Sequence, residues 1–289
     1  MSDSPTPRQI LSGLLPFLEK AAAYAHTIQA NIAAQPDKDL YPGNFFAAAL
    51  TDADLSIQTM IEVALLGLFP QIRFYGEEYE SSYNTKYFRA IDLGPAGDYL
   101  VTLDPVDGTK FYADGHGNYQ IILAILNHDN FEAAIALSPA YGTYVYSLRG
   151  EGTYQGNIGA PLEKCDRLTL PTPPDRIFLG WDMGYLAEPL RDRYTILDIQ
   201  ADYSTTVQVD NCLNLLDGRF ASAVLRRGKF IDGGAIAFMA QESGCIVTTA
   251  TGRPLPPLHT CEDYAWPSLV ISRSQAVHED VLGAILRAK

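Results

Sequence analysis

The chain has 289 residues, 47% of them hydrophobic, and a formal net charge of −13 from 34 acidic and 21 basic side chains. That length and apolar content allow a large buried core, in one large domain or two closely joined ones. The negative surface argues against nucleic-acid polymers and anionic membranes as partners, although bound cations reverse such a field locally and leave a small phosphorylated ligand open.

The opening "MSDSPTPRQILSGLLPFLEK" lacks the basic start of a signal peptide, and Pro16 and Glu19 break its apolar run. An amphipathic helix is expected over 8–34, ended by Pro36. "DKDLYPGNFFAAAL", punctuated by Pro and Gly, reads as a loop or short extended piece. A second helix is expected over 54–69, with Ile57, Ile61, Leu65, Leu68 and Phe69 at helical spacing and Pro70 as its stop. "IRFYGEEYESS" reads as a short strand running into an acidic loop.

From Arg89 the texture is β. "YLVTL" is a strand ending just before Asp104. "YQIILAIL" and "FEAAIALSP" flank the hairpin turn "NHDN", and "TYVYSLR" and "GTYQG" flank "GEG". Residues 158–176 carry four prolines and mark a boundary. The strands "RIFLG", "FASAVL" and "SLVIS" then alternate with helices expected near 189–199, 207–217 and 233–243. The chain therefore divides into an α+β half over 1–157 and an α/β half over 158–289. No stretch reaches the roughly 18 consecutive apolar residues of a membrane span. Cys165, Cys212, Cys245 and Cys261 form no C-x-x-C pair, so they read as reduced thiols of a cytosolic protein.

Four acidic motifs, with five carboxylates among them, are the candidates for the chemistry. Asp104 and Asp107, in "DPVDGT", stand at a strand end, where α/β sheets place ligands; an ordinary Asp-Pro-Gly turn explains them equally well. Glu77 in "FYGEEYE" is a second carboxylate at a strand end, or part of a solvated acidic loop. Asp54 has capping-box spacing from Thr51. Asp232, in "KFIDGGAIAF", is an N-cap by position or a ligand aimed from a helix start. Together they supply hard oxygen donors suited to Mg²⁺. The five histidines show no metal-ligand spacing, and His116 in the loop "DGHGN" reads either as lining a site or, more commonly for a loop histidine, as exposed.

These motifs in this order resemble the magnesium-dependent, lithium-sensitive phosphomonoesterases of the inositol monophosphatase superfamily. "DPVDGT" matches its D-P-[IV]-D-G-T signature, "GEE" at 76–78 and "TDAD" at 51–54 match its upstream motifs, and Asp232, Glu242 and Gly244 keep its downstream spacing. "GEGTYQGN" looks like its G-x-G hairpin. The resemblance implies a layered α/β/α/β/α sandwich. It also implies two or three Mg²⁺ ions. Glu77, Asp104 and the Val106 carbonyl would hold one, and Asp104, Asp107 and Asp232 a second. The N–H groups of Gly108 and Thr109 would receive phosphate, beside Asp107 and Asp232. Thr109 and Asp54, with Glu77, would orient and deprotonate the attacking water. Many members of the superfamily are homodimers.

Some features depart from that pattern. Ile231 replaces the signature Trp, and the glycine-serine pair is not evident in "TTVQVDNCLNLLDGR". Leu225 stands where inositol monophosphatases carry an acidic residue. Lys110 in "DGTK" and Lys229 look like the 3′(2′),5′-bisphosphate nucleotidase branch and would meet a second phosphate. "GWDMG" at 180–184 imitates the downstream motif without its Glu. The expected activity is hydrolysis of a small phosphorylated metabolite by metal-activated water. The substrate would be such a nucleotide, an inositol phosphate or a sugar (bis)phosphate. The reading from another class is a non-catalytic regulatory homologue.

Overall fold

The structure is a computed structural model that describes residues 4–32, 49–78, 98–172 and 174–288. The chain forms two compact units: Met1–Leu148 with Tyr154–Asp166, and Arg149–Thr153 with Arg167–Lys289. The expected loop at 37–50 and the acidic loop after Gly76 lie largely outside the described residues.

The first unit opens with α1 (Pro7–Ile28), shorter than the expected 8–34 because it tightens into a 3₁₀ turn at Gln29–Asn31. Thr6 and Gln9 form a reciprocal capping box at its start. Ile10, Leu11, Leu14, Leu15, Leu18, Ala21, Ala22 and Ala25 are buried along one face. Pro16 sits on the exposed face, where its missing N–H leaves a carbonyl that water can reach. Next, α2 (Asp52–Leu68) is capped by Thr51 and Asp54. Both helices lie against a sheet ordered β1 (Arg73–Gly76), β2 (Leu100–Asp107), β3 (Gln120–Leu126), β4 (Phe131–Ser138), β5 (Thr143–Leu148), β6 (Gly152–Asn157), β7 (Asp166–Arg167). β1 and β2 run parallel, and β2 through β5 are antiparallel. Val101, Leu103, Ile121, Leu123, Ile125, Ile135 and Leu137 face the helices and form one core with them. Burying each such side chain contributes about 1.5–3 kcal/mol.

In the hairpin turn between β3 and β4, Asn127 Oδ1 accepts the N–H groups of Asp129 and Asn130 at 2.9 and 2.7 Å. A five-residue helix, α3 (Thr109–Ala113), follows β2 directly.

The second unit holds β8 (Arg176–Leu179), β9 (Thr195–Asp198), β10 (Ser222–Leu225), β12 (Ile246–Thr249) and β14 (Leu269–Ser272), ordered β12-β14-β10-β8-β9. A small ribbon pairs β11 (Gly228–Lys229) with β13 (Ala265–Trp266). Its helices are α4 (Ala187–Leu190), α5 (Ile199–Asp202), α6 (Gly233–Glu242) and α7 (Gln275–Arg287).

Two expected helices are replaced. Over 189–199 only one helical turn forms, and "TILD" pairs in parallel with β8, which buries Leu197. Over 207–217 there is a 3₁₀ turn, Cys212–Leu215, with Asn211 and Asn214 capping each other and Gly218 leaving it at φ 80°. The C-terminal α7, capped by Ser274, was not anticipated from the sequence. The architecture is mixed α/β, as expected.

Candidate functional site

The strand expected to stop before Asp104 continues to Asp107. Asp104 lies opposite Ile122 and Asp107 opposite Gln120, so three steps along β2 match two along β3. The surplus residue makes a β-bulge. In an unbroken strand, residues three apart point to opposite faces. Across the bulge, Asp104 and Asp107 share the face of Ile122 and Gln120. Pro105, with no N–H to give, loses no ladder bond there. The Val106 N–H donates to Asp104 Oδ1 at 3.1 Å. The tetrapeptide is a strand irregularity rather than a loop, and it brings two carboxylates to one side.

Thr109 begins α3 immediately beyond the bulge. Its hydroxyl lies 3.1 Å from Asp54 Oδ1 and 2.9 Å from the Val106 carbonyl, and its single hydrogen serves one acceptor at a time. Asp54 Oδ2 accepts the Thr51 N–H at 2.8 Å and the Thr51 hydroxyl at 2.6 Å. The cap expected at Asp54 therefore exists, and it uses one carboxylate oxygen while the other meets Thr109. Gly108 bridges bulge and helix at φ 89°, where a Cβ would meet Phe111 Cδ2 at 3.2 Å and the Asn118 carbonyl at 3.3 Å.

Glu77 leaves β1 beside this point. Gly76 pairs with Leu103, and the Glu77 N–H donates to the Leu103 carbonyl at 2.9 Å. The next N–H, that of Glu78, donates to Gln58 Oε1 at 2.8 Å. Asp54, Gln58 and Glu62 recur every fourth residue on α2, and all three are buried. Polar residues at that spacing gave no sequence signal for Gln58, because a polar stripe reads as a solvated face. Lys110 is half-buried and pairs with Asp114 at 3.1 Å. His116 is not an exposed loop residue: it is buried and stacks on Phe111 with ring centroids 6.2 Å apart.

The first unit thus gathers Asp54, Glu77, Asp104, Val106, Asp107, Gly108, Thr109 and Lys110 around one sheet end. Asp232 and Lys229 belong to the second unit. Asp232 caps α6 by accepting the Gly233 N–H, and Lys229 Nζ stands 3.9 Å from Asp232 Oδ2. The Gly-Gly start of α6 has a packing cause, since a Cβ on Gly234 would lie 2.7 Å from the Lys229 carbonyl. Ile231, in place of the signature Trp, is buried. At the far end of α6, Glu242 Oε2 accepts the N–H groups of Gly150 and Gly152 at 3.0 and 3.2 Å. Two motifs distant in sequence, the "GEG" turn and the Glu ten residues past Asp232, are therefore one structural device. Asp182 of "GWDMG" pairs with Arg226.

Fold and site together define a mixed α/β protein with acidic motifs at its strand and helix ends. The chain belongs to the inositol monophosphatase family, whose model matches residues 17–288. It is 24% identical over 247 residues to the putative Nus factor SuhB of Neisseria meningitidis serogroup A, covering 82% of this chain and 88% of that one. A staphylococcal IMPase-I complexed with products superposes with a TM-score of 0.69 at 18% identity, covering 97% of this chain and 96% of the other. An IMPase/NADP phosphatase complexed with Mg²⁺ and phosphate gives 0.68 at 19% identity, covering 95% and 93%. These structural likenesses establish the fold.

Proposed function

We propose that the protein is a Mg²⁺-dependent phosphomonoesterase acting on a small phosphorylated metabolite. The observation that carries this reading is the bulge in β2, which turns Asp104 and Asp107 to one face and is followed two residues later by Thr109 with its bond to Asp54. Family membership supports a phosphatase, and the family's structures include one holding Mg²⁺ and phosphate.

The residues fit the ion. Glu77, Asp104, Asp107 and the Val106 carbonyl are hard oxygen donors at one sheet end, and such sets suit Mg²⁺. When bound, the ions supply positive charge that offsets the phosphoryl dianion and the developing alkoxide. The chain's own residues do the rest. Thr109 Oγ accepts a hydrogen bond from the attacking water and passes its proton to Asp54 Oδ1. Water oxygen bonds to phosphorus, the ester P–O bond breaks, and the leaving alkoxide takes a proton from solvent. The Gly108 and Thr109 N–H groups hold phosphate oxygens.

Within this class we favour a nucleotide with two separate phosphates. Lys110, a half-buried cation paired with Asp114, supports it, and Leu225 offers no side-chain acceptor to inositol hydroxyls. Four free cysteines fit a reducing, cytoplasmic setting.

Phosphate release with Mg²⁺ is measured on 3′-phosphoadenosine 5′-phosphate, inositol phosphates and sugar bisphosphates, with and without EDTA. Turnover is expected on at least one, lost with EDTA and in Asp107→Asn while circular dichroism stays unchanged. Retained activity in Asp107→Asn defeats the assignment. A second reading, a non-catalytic regulatory homologue, draws on the relative named a putative Nus factor and on Ile231. Metal binding without hydrolysis across the whole panel favours that reading.

A further inference from the structure

We infer that Gln58 is a positioning residue for Glu77, holding the backbone on both sides of it; this rests on the reading of Glu77 as a Mg²⁺ ligand. Gln58 is 1% exposed, so it is a core residue despite its polarity. Its Oε1 accepts the Glu78 N–H at 2.8 Å, which fixes the peptide after Glu77. Its side chain also lies flat on Gly76, where a Cβ would fall 2.0 Å from Oε1 and 2.2 Å from Cδ. Only glycine at 76 leaves room for this contact. The Glu77 N–H is meanwhile bonded to Leu103 at 2.9 Å, which ties the same segment to the strand carrying Asp104.

The three contacts fix the main chain at residues 76, 77 and 78. A ligand whose backbone is already ordered loses less freedom when it binds an ion. An amide suits the position because it offers an acceptor oxygen without charge. A carboxylate there would add a further negative group to a helix face that already buries Asp54 and Glu62. Asp54 and Gln58 stand one helical turn apart on α2, so one rigid element supports both Thr109 and Glu77.

The test compares wild type with Gln58→Met, which keeps length and removes the acceptor, and Gln58→Glu, which restores an acceptor. Mn²⁺ affinity is read by electron paramagnetic resonance, and the Mg²⁺ requirement by steady-state rates. Gln58→Met is expected to weaken Mn²⁺ binding about 10- to 100-fold, and Gln58→Glu to recover only part of that loss, because it restores the acceptor but adds a charge beside Asp54 and Glu62. Turnover of Gln58→Met at saturating Mg²⁺ is expected within about threefold of wild type, a split between metal affinity and rate that loss of packing alone does not produce.

Equal Mn²⁺ affinity in wild type and Gln58→Met overturns the inference while leaving the phosphatase reading intact. No Mn²⁺ or Mg²⁺ binding by wild type overturns both. Should Gln58→Met not fold, hydrogen exchange of the wild-type Glu78 amide decides. Slow exchange, further slowed by Mn²⁺, is expected. Exchange as fast as an exposed loop amide, or unmoved by Mn²⁺, overturns the inference.

Discussion

The Thr109 hydroxyl lies 3.1 Å from Asp54 Oδ1 and joins residues 55 positions apart. The same carboxylate caps α2 through its other oxygen. Removing the hydroxyl from Thr109 and altering Asp54 therefore have different consequences. Thr109→Val keeps the volume and is expected to lower turnover about 10²- to 10⁴-fold, the usual range for a lost proton-transfer group. Thr109→Ser restores most of it. Asp54→Ala loses both activity and the cap, at about 0.5–2 kcal/mol in urea unfolding. Phosphate-release rates alongside denaturation curves separate the two effects, and unchanged rates in Thr109→Val remove the pair from the chemistry.

Gly108 stands at φ 89°, in the left-handed region that L-residues avoid. Gly108→Ala is expected to destabilise the fold by about 1–2 kcal/mol from backbone strain, with the tight approach to the Asn118 carbonyl adding to it. The urea midpoint measures the change. An unaltered midpoint means the turn relaxes without cost.

His278 is buried, with Nδ1 3.0 Å from Ser272 Oγ and Nε2 3.0 Å from Thr248 Oγ1. Burial pushes its pKa below the ordinary 6.5, with Glu279 opposing weakly. The unfolded chain then binds the proton more readily than the folded one. Stability from this group is full above about pH 6.5 and is lost as pH falls from there to the lower folded-state pKa. Urea midpoints taken above and below that window are expected to fall more steeply in wild type than in His278→Gln. Parallel slopes contradict the prediction.

Glu242 holds the "GEG" turn by accepting from Gly150 and Gly152. Glu242→Ala leaves two N–H groups without that partner and is expected to cost about 1–3 kcal/mol. Hydrogen exchange at the Gly150 and Gly152 amides localises the effect. If those amides keep their protection, the turn is held by other contacts.

Much of this was legible in the chain. The period of Ile57, Ile61 and Leu65 gave α2, and the apolar runs gave β3 and β4. The strand through "DPVD" was misplaced because Pro and Asp signal turns locally, whereas a bulge is defined only against its partner strand. "TILD" read as helix because its strand identity comes from pairing with β8, a contact between distant residues. The Glu242 device was hidden for the same reason, its two ends lying 90 or more residues apart. Gln58 was hidden because burial of a polar side chain depends on what lies opposite it, here a glycine. The acidic motifs were visible because they sit at strand ends and helix starts, where local rules are strongest.

The bulge in β2 makes the tally of residues between Asp104 and Asp107 as restrictive as their identity. Loss of a single residue at Pro105 would straighten the strand into step with β3. The shortened segment would still carry two aspartates, now two apart and without the kink that aims the chain into α3. Gain of one residue would rotate Asp107 through the sheet. Insertions and deletions are therefore barred from this tetrapeptide, whatever side chains they bring.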